Sequence, residues 1–545
     1  MTLPPVKVSS ARSSFLRYRW LEPLLFGLLT LAHLIPLWRF RYFSTNDGPA
    51  HLYNAWALKT LLFEPHSVLH HYLAINLNPE PNYLSHLLLM GGLAVGPPWL
   101  AEKLVLTLCV VSLPLAVRYL VASWQPKAAF LSILSFPFIY SVVFQFGFYN
   151  FCLSLALLLW VIGYWKRHVS IIKPRWQHVC GLTLGVSLLY AAHPLSYLVS
   201  GLILGVLALE QLYLSETAIS SNPQPLRSLL RSLGILFLAY LPTLPLLGWY
   251  FWQKGTASSQ AAGSISQTLW AWVTLDPIHI MQSAEGTYRR ILAVVLFGLV
   301  LYSGWKHLQR RRVAPAWGWV VVSLLLVLAY INMPDSVAGG GVIRPRLGLL
   351  SYLCLFGLLA TVPYSSSIKW GLVVIGSVLS LALISFRAGK YQSINAGVEE
   401  FCSVVAYMPR GATFLPLNFG HAQQMPDGKQ YGTYIDVFTH AGGYPSVERQ
   451  LISVENYEAQ TGYFPLVWKP GCDVLPRDGQ LPPTWSPTLV TPLARPDYVL
   501  VWASHDTPNP EPISAQTARR HLAQAYRLVY RSRTGLAELY QRRKY

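Results

Sequence analysis

The sequence predicts a polytopic α-helical membrane protein with a C-terminal exoplasmic α/β domain. Of its 545 residues, 53% are hydrophobic and only 12% are charged, a composition typical of membrane proteins. Its apolar segments, beginning with residues 20–38, include many that are long enough to cross a bilayer as helices. From about residue 388 the chain becomes more polar, with frequent proline and glycine. We therefore expect a transmembrane domain at residues 1–387 and a water-facing domain at residues 388–545.

Basic residues predict the orientation of the chain. Four of them precede the first apolar segment (Lys7, Arg12, Arg17 and Arg19), and basic residues favour the cytoplasmic side of a membrane. A second basic link contains Lys306 and Arg310 to Arg312. Counting apolar segments outward from this link places residues 388–545 on the exoplasmic side. Twelve crossings would put both termini on one side, so we expect an odd number of transmembrane helices within a range of about 11–13.

The formal net charge of +19 has an explanation that involves no nucleic acid. The basic residues lie mostly in short links between apolar segments and in the C-terminal tail, where membrane topology and contacts with anionic lipid or phosphate account for them. We expect a multi-pass protein of the plasma membrane (a bacterial inner membrane) with a cytoplasmic N-terminus and no nucleic-acid partner.

The first exoplasmic loop, residues 42–82, contains the strongest candidate for a catalytic residue. The run from Asn46 to Pro49 is typical of a turn followed by the first turn of a helix. His51 and Asn54 follow Asp47 at helical spacing, so the three side chains can share one polar face. A single carboxylate just outside the membrane can act on a lipid-anchored substrate. The alternative is that Asp47 only caps the N-terminus of the helix.

An apolar helix followed by a loop with an early acid and an interfacial helix resembles the GT-C glycosyltransferases. The resemblance implies a polytopic enzyme that uses a polyprenyl-phosphate-linked sugar as donor and a lipid, glycan or protein as acceptor. It implies that Asp47 is the general base. The family motif has two adjacent acids, whereas Gly48 follows Asp47 here. A variant site and a relative without activity both remain open.

Transfer of a sugar from a lipid phosphate requires a base, donors that stabilise the departing phosphate, and an amphiphilic groove. Asp47 and His51 are the predicted catalytic residues. Five further residues are predicted to bind substrate: Arg344, Arg346, His193, Asn54 and Tyr149. The two arginines follow a glycine-rich loop and suit phosphate oxygens, although a flexible loop with membrane-edge arginines is an equal alternative. His193 breaks an apolar run before a proline, where a helix-kink histidine is the alternative. Tyr149 lies in an aromatic-rich break for which packing is the simpler interpretation.

The C-terminal domain is predicted to contain a strand near residues 496–502, a helix at 517–530 and a closing strand at 535–540. Three of its polar residues can face an acceptor (His421, Asp436 and His440), but no nucleophile–base–orienter set stands out. No His/Cys spacing predicts a zinc site, so no metal ligand is predicted, and the use of a divalent cation is left open.

Three functional hypotheses follow from these observations. The first is a membrane glycosyltransferase. The second is a lipid or solute transporter, which the lack of an inverted repeat and the scarcity of mid-membrane acids argue against. The third is a GT-C-like scaffold without catalytic activity, which the missing second acid keeps open.

Overall fold

The computed structural model describes residues 20–170, 174–217, 225–254, 264–309, 316–337, 340–420, 434–472, 495–503 and 513–543. The basic residues before the first apolar segment, Arg310 to Arg312 and His421 lie outside these ranges. The α-helices are α1 (Leu21–Arg39), α2 (Gly48–Phe63), α3 (Leu84–Val95), α4 (Pro98–Trp124), α5 (Val142–Gln145), α6 (Tyr149–Tyr164), α7 (Trp176–Ala192), α8 (Pro194–Thr217), α9 (Pro225–Tyr240), α10 (Leu244–Lys254), α11 (Ile265–Val273), α12 (Glu285–Gln309), α13 (Trp317–Asn332), α14 (Ile343–Leu359), α15 (Ser366–Cys402), α16 (Gly443–Arg449), α17 (Tyr457–Thr461) and α18 (Ile513–Ala525).

The strands form a small C-terminal sheet and a two-stranded ribbon. They are β1 (Leu73–Ile75), β2 (Thr413–Asn418), β3 (Ile452–Ser453), β4 (Leu466–Trp468), β5 (Tyr498–Trp502), β6 (Tyr526–Arg531) and β7 (Ala537–Arg542). In the five-stranded sheet the order is β3-β2-β5-β7-β6. Strand β2 pairs in parallel with β3 and β5, whereas β7 pairs antiparallel with β5 and β6.

The predicted class, a polytopic helical membrane protein with a C-terminal α/β part, is confirmed. Within the described ranges, five helices are long and apolar enough to cross a membrane, and the bent pair α9–α10 makes a sixth. The five are α1, α4, α12, and α6 and α15 with their continuations. Three shorter apolar helices of 10–17 residues accompany them (α3, most of α8 and α13). By length and composition this is fewer than the expected 11–13 spans.

One reason for the smaller number is that some apolar segments do not form long helices. The segment at 128–146 becomes a buried 3₁₀ helix, Pro126–Phe138, followed by the short helix α5. Pro137 has no N–H to donate and so disfavours a continuous α-helix at this point. The 3₁₀ helix packs against α4 and α15, so this apolar segment belongs to the protein core.

The sequence located two of the C-terminal strands correctly and misjudged the end of the helix before β6. Strands β5 and β7 lie where residues 496–502 and 535–540 predicted them. The predicted helix at 517–530 ends earlier, because Tyr526 to Arg531 form β6 and pair with β7. Cross-strand pairing has overridden the local helical pattern here.

The C-terminal part is seated on the first loop. Strand β1 of that loop pairs antiparallel with β4, which aligns Leu73 with Trp468. Helix α16 packs on α2 so closely that a Cβ atom added to Gly443 would lie 2.1 Å from the carbonyl oxygen of Pro49. The Asp47 loop and the C-terminal α/β part are therefore in direct contact.

Candidate active site

A cavity of about 380 Å³ lies where the first loop, the membrane helices and the C-terminal part meet. Most of its wall is apolar, with a few polar groups, as in typical small-molecule sites. Aromatic side chains are prominent in the wall (Phe148, Phe151, Tyr250, Phe251, Tyr457, Tyr463 and Phe464). The other polar lining residues are Asp47, His51, Asn82, Asn150, His193, Arg346 and Thr461. Four residues predicted from the sequence, Asp47, His51, His193 and Arg346, thus share one cavity.

The turn that holds Asp47 is fixed by its backbone and by Thr45. The backbone N–H groups of Asn46 and Asp47 donate to the carbonyl oxygens of Gln145 (3.0 Å) and Phe146 (2.9 Å). The hydroxyl of Thr45 accepts a hydrogen bond from Gly48 N at 3.1 Å. Asp47 occupies the N-cap position of α2, but its side chain makes no capping hydrogen bond. The carboxylate is therefore available to the cavity, and helix capping does not account for it.

The structure gives a physical reason for the absence of a second adjacent acid. A Cβ atom added to Gly48 would lie 2.0 Å from the hydroxyl of Tyr149 and 2.3 Å from the Thr45 hydroxyl. Gly147 faces the same turn with a φ of +82°, and a Cβ there would lie 2.6 Å from Gly48 N. No side chain fits at position 48 unless this packing changes.

The C-terminal part supplies the groups that face Asp47. His440 Nε2 lies 3.8 Å from Asp47 Oδ1, and His440 Nδ1 lies 3.0 Å from Glu455 Oε1. The His440 ring stacks on Tyr457 at a centroid distance of 4.4 Å, and this fixes its plane. The three residues Asp47, His440 and Glu455 form a carboxylate–imidazole–carboxylate series, called the acid–histidine series below.

Burial and charge act in opposite directions on this series. Burial raises the pKa of Asp47, and the neighbouring charges of His440 and His51 only partly oppose that increase. Burial lowers the pKa of His440, but its hydrogen bond to Glu455 and the charges of Glu455 and Asp47 outweigh burial and raise this pKa above its ordinary value. A carboxylate with a raised pKa accepts a proton more readily, and His440 is favoured as an imidazolium beside it.

The opposite wall carries a buried guanidinium. Arg346 lies in the first turn of α14, is 9% exposed, and stacks over the Phe148 ring at 4.3 Å. Its Nη1 atom lies 3.0 Å from His193 Nε2, so a neutral His193 imidazole accepts an arginine N–H there. Arg346 Nε has no hydrogen-bond partner in the described part of the chain. The guanidinium thus keeps a donor for a ligand.

Arg344 does not line the cavity, although it was predicted together with Arg346. Two residues along a helix turn the side-chain direction by about 200°, so the two arginines point to nearly opposite sides of α14. The backbone N–H of Arg344 donates instead to Asp335 Oδ1 at 3.2 Å.

Asn54 and Tyr149 are also outside the cavity wall. Asn54 comes seven residues after Asp47, about 10 Å along the helix, and exchanges side-chain hydrogen bonds of 3.0 Å with Asn456. The Tyr149 hydroxyl donates to Glu102 Oε1 at 2.9 Å and lies 3.1 Å from the Thr45 hydroxyl. Both side chains are hydrogen-bonded to other protein groups beside the site, and their role in substrate binding stays a prediction.

His51 belongs to a second buried cluster. Its Nδ1 atom lies 2.6 Å from Glu458 Oε1, and His86 Nε2 lies 2.9 Å from Glu458 Oε2. Although burial raises the pKa of Glu458, the two imidazoles lower it to about 2. His51, His86 and Glu458, called the histidine–glutamate cluster below, are at most 3% exposed. Their potential ligand atoms lie within 4.8 Å of one another.

Sequence reasoning missed three residues of these two clusters, His86, Glu455 and Glu458, and it also missed Tyr457, which stacks on His440. His440 was noted only as a polar residue that can face an acceptor. Glu455 and Glu458 lie three residues apart beside an aromatic-rich segment, which is the one local signal that marks this stretch. The partner of Glu455 is His440, in the same part of the chain. The partners of Glu458 come from the first loop and α3, so sequence spacing could not connect them.

No protein-family model matches this chain, and no curated protein matches it. Several solved structures are similar to it, among them an arabinofuranosyltransferase and an oligosaccharyltransferase. The arabinofuranosyltransferase AftD from mycobacteria matches 97% of the chain with 13% identity and a TM-score of 0.49, and the chain spans 40% of that protein. The oligosaccharyltransferase of Archaeoglobus fulgidus, solved with a tethered acceptor peptide, matches 96% of the chain with 11% identity and a TM-score of 0.42, over 74% of its own length. Both are glycosyltransferases, the class that the sequence resembles. With TM-scores below 0.5, the similarities assign neither a substrate nor a catalytic residue to this chain.

Proposed function

We propose that this protein is a membrane glycosyltransferase that moves a sugar from a polyprenyl-phosphate donor to a hydroxyl group on an exoplasmic lipid, glycan or protein. The observation that carries the proposal is the composition of one cavity. A carboxylate, Asp47, lines one wall, and a buried guanidinium, Arg346, lines another. Aromatic side chains cover much of the surface between them, as a prenyl chain and a sugar ring require.

In the proposed reaction Asp47 is the general base. The acceptor oxygen attacks the anomeric carbon of the donor, and a new carbon–oxygen bond forms as the bond from that carbon to the phosphate oxygen breaks. The electron pair of the broken bond stays with the phosphate, and the acceptor proton moves to Asp47. Direct attack by the acceptor inverts the anomeric configuration.

His440 is a positioning residue in this proposal. As an imidazolium, His440 attracts the Asp47 carboxylate, which lies 3.8 Å from its Nε2. Its Nδ1 is hydrogen-bonded to Glu455 Oε1 at 3.0 Å, and this bond fixes the ring. Such an arrangement orients the base in the way that a buried carboxylate orients a catalytic histidine. The second acid near Asp47 in this proposal is therefore Glu455, which acts through His440, and position 48 can remain a glycine.

Arg346 is proposed to bind the phosphate of the donor. A guanidinium presents several N–H donors in a fixed plane that matches two phosphate oxygens. Its Nε has no hydrogen-bond partner among the described residues, and its stacking on Phe148 restricts its orientation. Charge that develops on the leaving phosphate is stabilised most strongly in a site that excludes water.

The test compares sugar transfer by purified wild type and Asp47→Asn from a set of short-chain prenyl-phosphate sugars. We expect the variant to lose about 10²–10⁴-fold in rate, the usual contribution of a general base. Asp276→Asn is the matched control, because Asp276 is 53% exposed, pairs with Arg289 and lies outside the cavity wall. Equal activity of wild type and Asp47→Asn would remove Asp47 from the chemistry. Failure of wild type with every donor, in protein shown to be folded, would favour the scaffold hypothesis.

A further inference from the structure

We propose that His51, His86 and Glu458 form a binding site for a divalent metal ion of the zinc class. The three residues come from three parts of the chain: the helix of the first loop (α2), a membrane-side helix (α3) and the C-terminal part (α17). Each offers one ligand atom, and these atoms lie within 4.8 Å of one another. The site shares no residue with the acid–histidine series, although His51 lines the same cavity as Asp47, and it does not depend on the proposed glycosyl transfer.

The donor set indicates the kind of metal. Two imidazole nitrogens and one carboxylate oxygen are a ligand set used by zinc, with one position left for water or another ligand. Imidazole also suits copper, iron and nickel, whereas calcium and magnesium prefer oxygen ligands throughout. His51 lines the cavity, and the cavity can supply the fourth ligand.

The geometry suits an ion of this size. Bonds of about 2.0–2.1 Å in a tetrahedron place neighbouring ligand atoms about 3.3 Å apart. The Glu458 oxygens lie 2.6 Å from His51 Nδ1 and 2.9 Å from His86 Nε2. All three ligand atoms lie within 4.8 Å of one another, so changes of up to about 1.5 Å in these separations would bring the three groups to bonding distance.

Two atoms of the cluster also lack ordinary hydrogen bonds. His51 Nδ1 and Glu458 Oε1 are fully buried, yet neither has a hydrogen-bond partner with acceptable geometry in the described ranges, despite their 2.6 Å separation. Buried polar atoms are nearly always paired. A metal bond would satisfy both atoms at once.

Aromatic rings pack against the two histidines of the cluster. The Phe464 ring lies 5.6 Å from the His51 ring and 5.4 Å from the His86 ring, and the Tyr149 ring lies 5.6 Å from that of His51. The bound ion would connect the first loop to the C-terminal part at a point next to the cavity. Its expected role is to hold these two parts together, because a site with ligands from both strengthens their contact.

The test is metal binding by the full chain, purified with a tag that contains no histidine and measured without any sugar donor. After chelator treatment and dialysis against Zn²⁺, wild type is expected to retain about one zinc per chain, and Co²⁺ in its place is expected to give the visible absorption of a tetrahedral site. Glu458→Gln and His86→Asn are expected to bind zinc at least about 100-fold more weakly. His440→Gln is the matched control and is expected to retain zinc, because His440 belongs to the acid–histidine series.

Two results would overturn the assignment. Wild type that binds no zinc and shows no cobalt absorption has no such site, whatever the variants do, so the conclusion does not depend on how well the variants fold. Zinc that is lost in His440→Gln but kept in His86→Asn belongs to the Asp47 side of the cavity. Since no sugar donor is present, neither result bears on glycosyl transfer, and loss of transfer in Asp47→Asn leaves the metal result unchanged.

Discussion

Two arginines lie buried on consecutive helices and have opposite surroundings. Arg387 of α15 is 1% exposed and fully engaged. Its Nε donates to Glu285 Oε1 at 2.7 Å, and its two terminal nitrogens donate to the carbonyl oxygens of Tyr140 (2.6 Å) and Ile278 (2.7 Å). The second oxygen of Glu285 accepts two backbone N–H groups of the neighbouring loop. Each of its three guanidinium nitrogens therefore has a partner within the protein.

Arg346 of α14 has a similar degree of burial and much less hydrogen bonding. Its described contacts are His193, at 3.0 Å, and the faces of Phe148 and Phe151. It faces a cavity, whereas Arg387 is surrounded by protein. Burial of a charged side chain therefore does not by itself identify its role. An arginine whose three nitrogens are all hydrogen-bonded within the protein holds segments of the chain together. An arginine with an unpaired nitrogen beside a cavity can bind a ligand.

The largest effect that tests this comparison is on stability. Arg387→Met is expected to destabilise the protein by about 3–5 kcal/mol, because it leaves the Glu285 carboxylate buried without its counter-charge. The measurement is the midpoint of thermal unfolding, followed by tryptophan fluorescence in detergent. Arg346→Met is the matched control and is expected to change the midpoint far less. Equal losses in both variants would show that the two arginines do not differ as described.

The next effect is on activity. Arg346→Gln is expected to reduce the rate of sugar transfer by about 10²–10³-fold, the usual result of removing one donor to developing negative charge. Arg344→Gln, two residues earlier on the same helix, is expected to lose much less, because Arg344 does not line the cavity. Initial rates at saturating donor distinguish the two variants. A greater loss in Arg344→Gln would reverse the assignment.

The role of His440, on the Asp47 side of the cavity, can be tested through the pH dependence of sugar transfer. Glu455→Gln removes the hydrogen-bonded carboxylate that raises the pKa of His440, so this pKa falls. His440 is an imidazolium only below its pKa, and the alkaline limb of the pH–rate profile is therefore expected to move to lower pH. Glu448→Gln, which alters the remote pair with Arg41, is expected to leave the limb in place. An alkaline limb that stays the same in Glu455→Gln would exclude His440 as the titrating group.

The smallest expected effect concerns backbone strain next to Arg346. Val342, the N-cap residue of α14, has a φ of +56°, a conformation that is costly for a β-branched side chain. Val342→Gly is expected to stabilise the protein by about 1 kcal/mol, because glycine adopts this conformation without steric cost. Val337→Gly, in the same loop and without a positive φ, is expected to be neutral or destabilising. Thermal unfolding midpoints of the two variants provide the comparison, and equal shifts would argue against strain at Val342.

Local sequence patterns predicted the class of protein and drew attention to one residue on each wall of the cavity, Asp47 and His193. Apolar segments and low charge predicted the membrane helices, because a bilayer-spanning helix needs about twenty apolar residues and this requirement is local. The polar turn at Asp47 and the polar break at His193 could be recognised in the same way, because the contrast between a polar residue and its apolar neighbours is also local. Both residues line the same cavity, on opposite walls, and their chemical roles remain proposals.

Which side chains of the two clusters contact one another became clear from the tertiary structure alone. His86 and Glu458 are 372 residues apart in the sequence and 2.9 Å apart in the structure, and His440 reaches Asp47 through the seating of the C-terminal part on the first loop. The choice between Arg344 and Arg346 depended on where α14 begins and how it is rotated. Packing between distant segments fixes such contacts, and the periodicity of a local sequence carries no information about them.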